Sequence, residues 1–158
     1  MHYKSMYRIE TIKIREKTEA FNIQARSARE IYNVFRFIAD KPQESLYVVC
    51  LNCKSRIIGY SEIAKGSLNT CAVDMRELVR IPILINAASV IVLHNHPSGD
   101  SDPSRDDIAI THRIKDSLSL FGIRLLDHIV ISDDGFTSLS ERGEIDMGGL
   151  RHENTSLR

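Results

Sequence analysis

Hydrophobic residues recur along the chain with two periods, and their alternation predicts an interleaved set of strands and helices. Residues 7–15 (YRIETIKIR) partly alternate and predict a first strand. Ser27 and Glu30 form a capping box, behind which Ile31, Val34, Phe35 and Ile38 keep helical spacing. That helix should stop near Asp40, because Lys41 precedes Pro42 and is pushed out of helical geometry. Residues 45–51 and 57–64 read as a hairpin joined by the polar stretch 52–56. Asp74 and Glu77 form a second capping box opening a helix towards Ala88, with Pro82 predicting a kink or two short helices.

SVIVLHNH, residues 89–96, is a β-branched run of the buried-strand type. A third helix starts near Ser104, with Ile110, Ile114, Leu118 and Phe121 as its core stripe and Gly122 as its end. IRLLDHIVIS then supplies one or two further strands, and the polar residues from Met147 predict a frayed end. The fold class is therefore α/β (α+β): a mixed sheet flanked by helices, in one domain over 27–146. Residues 1–26 are a lead-in with the first strand, and 147–158 a polar tail.

Composition narrows the picture little. The 158 residues are 42% hydrophobic and 27% charged, which is globular rather than disordered. Lys plus Arg equals Asp plus Glu at 21 each, and a chain built to neutralise phosphates usually carries a basic surplus. No apolar run reaches the length of a membrane span, and the N-terminal residues lack a signal-peptide core. The expectation is a cytoplasmic protein with reduced cysteines. Cys50 and Cys53, three apart on or just beyond a strand, should point to opposite faces rather than share a metal.

The chemistry concentrates between residues 94 and 107. On a strand, His94 and His96 project from one face, about 6–7 Å apart along the chain. They also sit at the C-terminal end of a buried strand, where open α/β sheets place their sites. Asp107 falls in the first turn of the next helix, three residues before Ile110 and on its inward face, whereas Asp106 points elsewhere. Two histidines and an aspartate suit a catalytic zinc ion, which takes three protein ligands and keeps one position open. The same residues also admit a plainer reading, since Ser104 and Asp107 have the spacing of a capping box.

Other candidates carry less. Ser98, His96 and Asp100 are crowded into one loop without a nucleophile elbow, and the zinc-deaminase strings are absent. Asp127 and His128 read as a structural pair in which one orients the other, and His112 as solvent-facing.

The spacing H-x-H-P, six residues, Ser, two residues, Asp resembles the signature of the JAMM (MPN/JAB) metalloproteases. The longer string HNHPSGDSDPSRDD, with Thr111 and LLDHIVI after it, is most similar to the RadC-like branch, over about Ser27 to Gly143. The resemblance implies a single JAB/MPN-like domain in the short form, without a leading helix-hairpin-helix region. It implies Zn2+ on His94, His96 and Asp107, and hydrolysis of a peptide or isopeptide bond by metal-activated water. It places the general base at Glu44, with Glu62 on the partner strand as the rival, and gives Ser104 the role of oxyanion donor. Partners would be a protein or peptide substrate, with no membrane, and edge strands leave room for a homodimer. The alternative implied by the same resemblance is a binding module in DNA transactions without peptidase activity. A metal-free scaffold is disfavoured because every ligand position is filled.

Overall fold

The computed structural model describes residues 23–66 and 73–145. In chain order these form α1 (Ala28–Phe35), a 3-10 turn (Arg36–Ile38), β1 (Ser45–Leu51), β2 (Ile57–Lys65) and α2 (Met75–Leu84). There follow β3 (Ser89–Asn95), α3 (Arg105–Ser119), β4 (Arg124–Ser132) and β5 (Gly135–Ser138). The strand expected at 7–15, the polar tail expected from 147 and the third cysteine, Cys71, fall outside the described residues.

The five strands make one mixed sheet in the order β2-β1-β3-β4-β5. Only β3 and β4 run parallel, with α3 as the crossover between them. A layer of helix covers each face, so strand alternation sorts side chains into two cores. Leu46, Val48, Cys50, Val90, Val92 and Val130 pack with α2 and α3. Tyr47, Val49, Leu51, Ile91, Leu93 and Ile129 pack with α1. All seven residues of β3 are buried, because it is central and covered on both sides. The mixed sheet flanked by helices expected from the sequence is the fold observed.

Two local expectations need correction. Pro82 neither kinks α2 visibly into two helices nor lets it reach Ala88; α2 is one helix that stops at Leu84. Proline lacks the N–H that would bond back to Leu78 and crowds that carbonyl, so the helix is lost within half a turn. Phe121 is not in the core: it is 56% exposed beside an 82% exposed Leu120. The helix closes first, with Ile123 N–H on Leu118 O and Gly122 N–H on Ser119 O, and Gly122 at φ +68°. That closure swings Phe121 off the stripe of Ile110, Ile114 and Leu118. The first helix stops near Asp40 as expected, its last turn, Arg36–Ile38, being 3-10. Cys50 is buried in β1, and Cys53 is exposed in the turn that follows it.

Ile114→Ala should therefore destabilise the domain by about 2–5 kcal/mol, and Phe121→Ala by less than about 0.5 kcal/mol. Urea denaturation of both variants checks this, and equal losses would contradict the assignment of the stripe.

Candidate metal centre

Each ligand arrives on a different structural device. His94 lies in β3 on the α2/α3 face, in register with Leu46 of β1 and Val130 of β4. His96 stands one residue beyond the end of β3, its main-chain N–H bonded to Ile131 O at 2.9 Å. The following turn is closed by Gly99 N–H on His96 O, 3.1 Å. Gly99 takes φ +86°, where a side chain would be strained. The turn brings Asp100 O back to within 2.7 Å of His96 Nδ1. A carbonyl only accepts, so His96 carries a proton on Nδ1 and directs Nε2 inward.

Asp107 comes from the first turn of α3, buried where Asp106 is exposed. The capping box is fully formed: Ser104 Oγ accepts from Asp107 N at 3.1 Å, and Asp107 Oδ2 accepts from Ser104 N at 2.7 Å. Ser104 Oγ also donates to Asp107 Oδ2 at 2.6 Å. The two readings of this aspartate are compatible, since capping fixes the carboxylate in the direction of the histidines. His94 Nε2 is 3.2 Å from Oδ1, His96 Nε2 is 3.5 Å from Oδ2, and the two Nε2 atoms are 2.8 Å apart.

One ligand atom from each of His94, His96 and Asp107 lies within 4.8 Å of the others. Around a tetrahedral ion with bonds of roughly 2.0–2.2 Å, ligand atoms stand about 3.3–3.5 Å apart. The two histidine–carboxylate separations match that spacing, while the two Nε2 atoms at 2.8 Å would have to move apart by about half an ångström. In kind, two imidazole nitrogens and a carboxylate suit zinc.

The electrostatics are those of a site waiting for positive charge. Burial, and then the neighbouring His128, push His94 well below the usual imidazole range. Burial opposes ionisation of Asp107, yet its bond to His96, the neighbouring His94 ring and the two bonds from Ser104 hold its carboxyl well below the ordinary range. His96 moves the other way: its bond to Asp107 outweighs burial and raises it, helped by Asp100 O and the charge of Glu44.

Glu44 and Glu62 are separated by the sheet itself. The β1–β3 pairing ends at Leu46 and His94, beyond which Ser45 N–H turns to the Asn95 side chain. Glu44, the next residue out, is near enough for its charge to help raise the His96 pKa. Gly66 N–H extends the ladder to Glu44 O at 2.8 Å. Glu62 pairs with Tyr47, which belongs to the α1 face, and its carboxylate accepts from Tyr47 Oη at 2.5 Å and Lys41 Nζ at 2.6 Å. The Lys41 and Tyr47 bonds keep Glu62 ionised, its pKa lowered. Glu62 is therefore a surface ion pair on the far side from His94.

Two residues of the site escaped the sequence. Asn95 is buried, its Oδ1 accepting from Ser45 N at 2.9 Å and its Nδ2 donating to Lys41 O and Gln43 O at 3.3 and 3.2 Å. It clamps the segment that carries Glu44 to the strand that carries His94. A lone asparagine inside H-x-H carries no spacing signal that would reveal this. The second is Thr111, whose hydroxyl is 2.5 Å from Asp107 O and 2.5 Å from His128 Nδ1.

His128 needs a correction as well. Its ring does not pair with Asp127; it lies 2.7 Å from His94 Nδ1, directly behind the site. Neighbours on a strand point to opposite faces, and Asp127 instead accepts from Ser138 Oγ, Ser140 N and His128 N. Asp127 is pushed up to about 6 by burial, against those bonds. His112 is exposed, as expected. The Ser98, His96, Asp100 set does not assemble, since Asp100 meets His96 through its main-chain carbonyl and not its carboxylate.

A family model described as RadC-like JAB domain matches residues 25–144. A UPF0758 protein of Clostridium acetobutylicum is 41% identical over 141 residues, 89% of this chain and 57% of that protein. Another from Clostridium beijerinckii is 52% identical over 103 residues, 65% of this chain and 45% of that one. A third, from Halorhodospira halophila, is 46% identical over 106 residues, covering 67% and 47%. The chain thus spans about half the length of the curated relatives it matches. Among the described residues, no helix is long and apolar enough to cross a membrane.

Metal binding at this centre must displace a proton from His96, whose pKa is raised above 6.5. Zinc affinity should be full above that raised value and fall as pH drops through it, about tenfold per unit. Competition with a chromophoric chelator between about pH 5.5 and 8 reads this directly. A flat profile, or a bend only below 6.5, would contradict the role of His96.

Proposed function

The chain belongs to the RadC-like JAB domain family, and from that premise we propose that it is a zinc-dependent hydrolase of peptide or isopeptide bonds. The observation that carries the proposal is the convergence of His94 Nε2, His96 Nε2 and the Asp107 carboxylate on one point. Families with the JAB domain include metalloproteases, and this chain keeps each residue type that such chemistry needs.

His94, His96 and Asp107 would hold the ion. Bound zinc supplies Lewis acidity, acidifying water towards ~7 and polarising a carbonyl. Glu44, on the rim beside His96, takes the proton from the attacking water and passes it to the departing amine, the double duty of a general base. Asn95 holds the Glu44 segment at its distance from β3 through three main-chain bonds. Ser104 is the oxyanion donor: its hydroxyl, resting on Asp107 Oδ2, needs only a rotation about its side-chain bond to face a substrate oxygen.

Glu44→Gln keeps size and hydrogen bonding but cannot accept a proton. Incubating the zinc-loaded chain with a proteome-derived peptide library and with isopeptide-branched peptides, followed by mass spectrometry of new termini, tests the assignment. The wild type should generate cleavage products, and Glu44→Gln should slow them by about 10²–10⁴-fold with zinc content unchanged. Equal cleavage by the two proteins would sink the role of Glu44, and no cleavage by either would remove the hydrolase reading.

A further inference from the structure

Behind the three metal-facing atoms runs a buried chain of polar groups whose protons can be placed by counting. It starts at Thr111 on α3, which is fully buried. The Thr111 hydroxyl touches Asp107 O, one helical turn back, and His128 Nδ1, each at 2.5 Å. A carbonyl oxygen only accepts, and a hydroxyl has a single proton to give. Thr111 therefore donates to Asp107 O and must accept from His128, which puts the His128 proton on Nδ1. His128 is fully buried and its two ring nitrogens face the Thr111 hydroxyl and the His94 ring, with no carboxylate bonded to either, so the ring stays neutral and carries that one proton only. Its Nε2 is then a bare lone pair, 2.7 Å from His94 Nδ1. His94 answers by holding its own proton on Nδ1. Its Nε2 is then the acceptor in the 2.8 Å contact with His96 Nε2, and the proton of that contact belongs to His96 until an ion replaces it.

We propose that Thr111 and His128 are positioning residues that fix the tautomer of His94, holding its Nε2 lone pair towards the metal position. The reverse tautomer of His94 would aim an N–H at the ion and turn a lone pair towards the Nε2 lone pair of His128. The relay begins at the main-chain carbonyl of Asp107, so one residue of α3 serves the centre twice. Its carboxylate is a ligand, and its carbonyl sets the proton order that prepares a second ligand. His96 is prepared differently, by Asp100 O from the loop. Two independent devices thus present both imidazoles through the same nitrogen. The identity of the ion rests on the hydrolase reading above; the tautomer of His94 does not.

The test is nitrogen-15 NMR of the metal-free full chain with labelled histidine, joined to zinc affinity by chelator competition. In the wild type His94 and His128 should both show the Nδ1–H form. Thr111→Val removes the hydroxyl at nearly constant volume and should give mixed His94 tautomers with zinc bound about 10–100-fold more weakly. Thr111→Ser should restore both readouts, which a merely space-filling role for Thr111 would not require. An Nε2–H form of His94 in the wild type, or unchanged zinc affinity in a folded Thr111→Val, would overturn the proposal. The wild-type spectrum decides the tautomer even where the valine variant fails to fold. A wild type with His94 in the Nδ1–H form but no affinity for zinc would overturn the metal reading and leave the tautomer assignment standing.

Discussion

The register of β3 with its two neighbours is the constraint on which the site depends. Its antiparallel pairing with β1 sets Leu46 against His94, and its parallel pairing with β4 sets His94 against Val130. The first pairing ends just before the segment of Glu44, which Asn95 then ties to β3. The second brings His128 of β4 onto the same face, behind His94. A slip of one residue on either side would turn those groups to the opposite face. The dense apolar packing of β3 on both faces makes such a slip costly, because every valine and isoleucine of the strand would exchange cores.

On that frame the centre is assembled from parts that each satisfy an ordinary structural need. Asp107 completes a helix cap, Asp100 O closes a loop against His96, and Thr111 bonds back one turn along its helix. Asn95 takes up main-chain groups that the approach to β1 would otherwise leave unpaired. None of the buried side-chain polar atoms among the described residues lacks a hydrogen-bond partner. Side chains held this firmly would need little reorganisation to receive an ion, which is the physical meaning of a preorganised site.

What the sequence made legible was whatever depends on short spacing. His94, His96 and Asp107 are close along the chain, and strand and helix geometry are enough to bring them to one point. The elements around them are legible for the same reason, as the apolar periods of β1, β3 and α3 are strong. Glu44 against Glu62 was not legible, because the choice depends on which face each residue takes in a pairing between distant segments. Strand alternation could have warned against pairing Asp127 with the His128 ring, since adjacent residues diverge. The true partners of His128 lie 17 and 34 residues away and carry no local signal. Phe121 misled for a related reason: its spacing was helical, but Gly122 ended the helix before the spacing could count.

The central claim is that two imidazoles and one carboxylate of this chain bind a single zinc ion. X-ray absorption at the zinc edge, on the full chain purified without added metal and then titrated, tests it most directly. The account predicts one equivalent of zinc, with first-shell nitrogen and oxygen at about 2.0–2.2 Å, the scattering pattern of two imidazoles, and no sulfur. Sulfur at about 2.3 Å would assign the ion to cysteines instead, and a chain that takes up no zinc would contradict the claim outright.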